Sequence, residues 1–191
     1  MRKNVKKQLA LRVLSTAALL AMVSSIATAA FAERYDLNTG SVTVETKDDG
    51  ITYVTQKNTD INNHPDDTGV TITSNGTQTS NTITVETADK QTTNVTLENV
   101  HIESSSAWSS DPAPIEIKGN GNTNLELNGN NIVLSGNSEH AGIEKADKYG
   151  TGTLTIKDNV NNDGKLLAGG FDNSACLLYT SPSPRDLSTS R

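Results

Sequence analysis

The residues of this chain that could do chemistry are acids, three histidines and one tryptophan in a polar loop. A polysaccharide lyase needs a basic residue beside acids that hold calcium, and a glycoside hydrolase needs two carboxyl groups held apart across the scissile bond. The adjacent acids Asp48–Asp49 and Asp66–Asp67 suit neither chemistry, because neighbours on a strand point to opposite faces; both pairs read as turn residues. Arg34 is the only arginine between residues 33 and 175, so a lyase has few basic groups to use and no catalytic residue is assigned. His64, His101 and His140 lack the spacing of a metal clip, and no metal site is assigned to them. The turns at Asp158–Asn159 and Asn162–Asp163–Gly164 resemble calcium loops only superficially, which leaves room for incidental Ca2+ but implies no cofactor. Binding chemistry has a better candidate. Trp108 stands in a loop of small polar residues, where an exposed indole would make a platform for a sugar ring, with Asp111 accepting hydroxyl bonds and Tyr149 extending the platform from a similar turn. The competing expectation is that both rings fold back over the flank of the domain.

Both ends of the 191-residue chain read as something other than domain. Residues 1–32 carry a basic start, an apolar run from Val13 to Ile26 and the small-x-small site Ala30–Phe31–Ala32, the three parts of a secretory signal cut after Ala32 or, alternatively, Ala29. The apolar run is short for a membrane-spanning helix, and no later segment is apolar enough to span, so the mature fragment is expected to lack a transmembrane segment. Residues 176–191 match the translation of a transposase-type sequencing adapter, so the native frame is expected to be lost after Ala175 and the protein to continue beyond it. The only cysteine, Cys176, falls in that segment, so a disulfide framework and a thiolate nucleophile are excluded from the native part. The two ends hold seven basic residues and one acid, which leaves the segment between them more acidic than the whole chain at −6. Such a charge argues against nucleic acid or anionic lipid as a partner.

The elements that would position any site come from a repeat. Asn94–Val95–Thr96–Leu97–Glu98 returns as Asn124–Leu125–Glu126–Leu127–Asn128 and as Thr153–Leu154–Thr155–Ile156–Lys157, while Ile115–Glu116–Ile117–Lys118 is echoed by Ile143–Glu144–Lys145. Two strand motifs sharing a period of just under ~30 residues imply stacked coils, each burying its apolar edge on the next. The spacing extends back to Val70–Thr71–Ile72 and Ile83–Thr84–Val85. Val42, Val44, Ile51 and Val54 belong to two strands around Asp48–Asp49–Gly50 that would cap one end, and residues 57–68 read as a loop or a poorly regular first coil. Within the coils the inward positions are read as Val95, Leu97, Val100 and Ile102, then Leu125, Leu127, Ile132 and Leu134, with His101 outward. No window has helical periodicity. The expected domains are a signal at 1–32, capping strands at 33–56, coils at 57–175 and a non-native tail at 176–191.

Tyr35–Asp36–Leu37, Gly40–Ser41–Val42, Asn94–Val95–Thr96–Leu97, Ala141–Gly142–Ile143 and Gly152–Thr153–Leu154 resemble bacterial cell-surface proteins, in particular carbohydrate-binding-domain-containing surface proteins of gut Gram-positive bacteria. The resemblance covers most of residues 35–170. It implies a right-handed parallel β-helix, incomplete at its C-terminal end, in a longer wall-associated chain; a β-sandwich is the alternative all-β fold. No binding residue of those proteins maps onto this chain. The expectation is an extracellular or cell-wall-associated structural and adhesive module, not an enzyme, with glycans or host and cell-wall surface components as partners. A glycan-binding module is the alternative, and a polysaccharide lyase or hydrolase comes third.

Overall fold

The computed structural model describes residues 32–66, 68–104, 112–137, 139–145 and 151–170, together with the strand Leu177–Tyr179. Among them every regular element is a strand. In chain order these are β1 (Glu33–Asp36), β2 (Val42–Thr46), β3 (Thr52–Gln56), β4 (His64–Pro65), β5 (Val70–Thr73), β6 (Gln78–Thr79), β7 (Ile83–Thr87) and β8 (Thr92–Glu98). They continue as β9 (His101–Ser104), β10 (Ile115–Lys118), β11 (Asn122–Asn128), β12 (Asn130–Ser135), β13 (Ile143–Lys145), β14 (Leu154–Asp158), β15 (Lys165–Gly169) and β16 (Leu177–Tyr179). The fold is all-β. From β5 onward the chain visits three sheets in rotation, so that β5, β8, β11 and β14 share one sheet with β1, β6, β9, β12 and β15 form the second, and β7, β10, β13 and β16 lie in the third with β2, β3 and β4.

Within each rotation the pairing is parallel and in register. Val70 faces Val95 and Val95 faces Leu125; Ile83 faces Ile115 and Ile115 faces Ile143. The alternation of apolar and polar residues explains the burial: Val42, Val44, Ile83, Val85, Ile115 and Ile117 are buried in one sheet, Ile72, Val95, Leu97 and Leu125 in another, and all belong to one apolar cluster. Burying each such side chain contributes about 1.5–3 kcal/mol. At one edge the parallel pattern gives way. β2 and β3 form an antiparallel hairpin across the Asp48–Asp49–Gly50 turn, where Gly50 takes φ +79, and β4 adds to β3 antiparallel from within the segment expected to be irregular. Glu33–Asp36, within the expected capping strands at 33–56, is a strand paired parallel with β5.

Two registers differ from the sequence expectation. The 29-residue spacing would set Leu154 opposite Leu125, but Thr123 faces Leu154 and Leu125 faces Ile156. A shift of two residues keeps the same face inward, so alternation alone cannot fix it. In β12 the expected inward residues Ile132 and Leu134 are half-buried and Val133 is fully buried instead. Asn131 decides this: its side chain turns inward, where Oδ1 accepts from the Val100 amide at 3.0 Å and Nδ2 donates to the Lys165 carbonyl at 3.2 Å. Those main-chain bonds place Asn131, Val133 and Ser135 on the inner face. Another inward position departs from the apolar pattern. Lys145 occupies the place taken by Ile117 one rotation earlier, is fully buried, and donates from Nζ to the Gly119 carbonyl at 3.2 Å.

Candidate functional site

The described surface is concave where the β2–β3 hairpin meets the approach to β5, and β1 packs beside it. Here Tyr35 is buried while its hydroxyl lies 2.9 Å from Glu33 Oε2 and 3.1 Å from Asp66 Oδ2. Burial, with the two carboxylates adding to it, raises the Tyr35 phenol far above its ordinary value and keeps it protonated. Asp66, expected to be a turn residue, is buried for the same reason: its other oxygen accepts from the Thr68 amide at 3.0 Å and the Thr68 hydroxyl at 2.9 Å. On the outer face Arg34 reaches across the intervening strand β5 to Glu98 at 2.8 Å. These contacts tie β1 to Asp66 on one side and to β8 on the other.

Two cavities adjoin this patch. One, of about 540 Å³, lies between the hairpin and the first sheet, with Ile51, Thr52, Asp66 and Thr92 in its wall. The other, of about 170 Å³, follows the outer face of the sheet past Asn124 and Glu126 to Lys157. Thr68, Gly69, Val70 and Asn94 line both, so the two adjoin along this stretch as one groove. Its walls are hydroxyls and carboxamides, and both bordering carboxylates are engaged, Asp66 as described and Glu126 with Lys157 at 2.8 Å. Asn124 Nδ2 donates to Asn94 Oδ1 at 2.9 Å, an amide ladder across β11 and β8. Such a surface offers hydrogen-bond donors and acceptors.

A second hollow, about 370 Å³, lies on the sheet containing β2 and β7, where Glu45 and Glu86 are direct neighbours and Asp48 and Asp89 border it. Lys47 is 3.6 Å from Glu45, and Lys90 is 3.4 Å from Asp89. Among the described residues no group of three or more His, Cys, Asp or Glu side chains is arranged to hold a metal ion. The histidines are apart from one another, each beside its own carboxylate: His64 with Glu33 at 3.4 Å, His101 with Glu103 at 2.9 Å and His140 with Glu144 at 2.8 Å. Among the described residues no helix is long and apolar enough to cross a membrane.

Trp108, Asp111 and Tyr149 lie outside the described residues. In sequence the first two fall between β9 and β10 and the third between β13 and β14, so the two segments join different pairs of sheets. Sequence reasoning passed over the groove residues. The 30-residue spacing of Asn94 and Asn124 was visible, but Gly69, just ahead of Val70, carried no sign that it interrupts their ladder. No family model, curated protein or solved structure matches this chain.

Proposed function

We propose that this chain is an exported bacterial surface protein whose described part is a right-handed parallel β-helix acting as a structural and adhesive module. The observation that carries the reading is the rotation of the chain through three sheets with in-register parallel pairing, from Val70 facing Val95 to Leu125 facing Ile156. Parallel strands joined by crossovers take the right-handed path in nearly all proteins, which supports the handedness. A stack of this kind grows in one dimension and presents long flanks, the geometry of a stalk and of an adhesive surface. Export is supported by the basic, apolar and small-residue sequence of residues 1–32.

Two measurements test the reading. Small-angle scattering of the chain from Glu33 onward should give an elongated particle, and surface protease treatment of cells producing the full chain should remove it. A globular particle retained inside the cell defeats the proposal. A second reading, a glycan-binding module, is favoured by the hydroxyl- and amide-lined groove as well as by Trp108, Asp111 and Tyr149.

A further inference from the structure

The groove has an interrupted ladder at its centre. Asn124 and Asn94 sit opposite each other and are bonded through their side chains. One strand further, Val95 faces Val70, the first residue of β5, and Gly69 just before it lines the same cavities as Asn94. A third carboxamide there would extend the ladder as the first two do; glycine supplies none, and its φ of +106 is one that L side chains rarely adopt. One end of the Asn94 amide is taken by Asn124. The other end is exposed and has no bonding partner among the described residues. Gly69 and Asn94 also line both cavities.

We infer that this gap is the centre of a binding site for an uncharged oligosaccharide, with a sugar hydroxyl or carbonyl taking the place of the missing rung on Asn94. This rests on the adhesive part of the function proposed above and gives it a ligand class. The chemistry of the walls selects that class. Thr92 and Thr96 line the groove beside Thr52 and Thr68, whose hydroxyls bond Thr46 and Asp66, and Ile51, an exposed aliphatic side chain at 42% accessibility, offers an apolar contact to the C–H face of a ring. A cationic ligand gains little, because Asp66 and Glu126 are already bonded to Tyr35, Thr68 and Lys157. An anionic one meets a chain of net charge −6. The groove runs past four strands of the first sheet, from the start of β5 to Lys157 on β14, roughly 14 Å at ~4.8 Å per strand, which suits several sugar units in a row.

The test is an NMR titration of the isotopically labelled full chain with neutral hexasaccharides of glucose, xylose and mannose, and with a galacturonic acid hexamer as the anionic control. Saturable shifts at Thr68, Gly69 and Asn94 are expected with at least one neutral oligomer and none with the anionic one. Asn94→Ala and Ile51→Ser, both at exposed positions, should each weaken binding about ten-fold or more and leave the fold unchanged by circular dichroism, while Trp108→Ala leaves affinity as it was. No saturable shift at these residues with any neutral oligomer overturns the assignment, as does binding that survives both groove substitutions. Loss of binding in Trp108→Ala alone moves the ligand to the 105–111 segment and also overturns it. Scattering and cell-surface protease measurements are independent of these outcomes, so a failed groove is distinguishable from a failed surface-protein reading.

Discussion

Five threonine hydroxyls in this protein are bonded to one another in a chain. Thr93 Oγ1 bonds Thr46 at 2.6 Å and Thr87 at 2.7 Å, Thr46 goes on to Thr52 at 2.9 Å, and Thr87 to Thr123 at 3.2 Å, a chain of threonines linking the first and third sheets. Thr93 is its middle link. Replacing it with the isosteric valine removes two bonds at once while keeping the volume, so Thr93→Val should destabilise the fold by about 1–3 kcal/mol in urea unfolding, and Thr52→Val, at the half-buried end, by less. Tyr35 makes a prediction of a different kind. Its phenol is held protonated in the folded state, chiefly by burial and then by the bond to Glu33, whereas the unfolded phenol ionises near ~10. A folded pKa above the unfolded one means the native state binds more protons above pH ~10. Stability is therefore full below that pH and falls as pH rises past it. Alkaline unfolding should lose this component in Tyr35→Phe, which would show a shallower decline between pH ~10 and ~12.

Strand identity and strand register differ in how far the amino-acid order determines them. Alternation in Val70–Ile72, Ile83–Val85, Val95–Leu97 and Ile115–Ile117 marks both the strands and their inner faces, because period two is a local property of a strand. Register is a relation between strands, and the pattern is blind to shifts of two residues, which is why Ile156 rather than Leu154 faces Leu125. In Asn131–Ile132–Val133–Leu134 apolar residues fall on both faces, so the parity was fixed by the main-chain bonds of Asn131, a tertiary effect with no local signature. The groove was illegible for the same reason. Asn94, Gly69, Ile51 and Asp66 are far apart along the chain or sit in turns, and only the hairpin and the strand register bring them together. Paired substitutions in β12 test the parity directly. Val133→Ala should cost about 2 kcal/mol through the cavity it leaves, and Ile132→Ala clearly less, since Ile132 lies outward between His101 and Leu167. Equal costs, or the reverse order, would mean that the strand sits the other way round.

At the scale of the whole molecule, burial is uneven along the order of strands. All four residues of β5 are buried and alternate residues of β7, β8, β10 and β11 are, while β14 and β15 have none buried and keep Leu154, Ile156, Leu166 and Ala168 only partly covered against the core. The opposite side is finished differently. There β4 contains Pro65, which has no amide to offer a further strand, and Glu33 on β1 takes the inward column that Val70, Val95 and Leu125 occupy in the strands beyond. A fold whose strands pair mainly with their sequence-rotated neighbours has a stability that is approximately a sum of neighbour terms, so its parts open at different costs. Amide hydrogen exchange should therefore be slowest in β7, β8, β10 and β11 and fastest among the strands in β14 and β15, with β2 and β3 protected nearly as well as the middle. Adding apolar cover to β14 and β15 by a further rotation of chain should slow their exchange toward that of β11 and leave β2 and β3 unchanged. Uniform protection from β2 to β15 would show instead that the three sheets open as one cooperative unit, and the neighbour-by-neighbour account of stability would have to be abandoned.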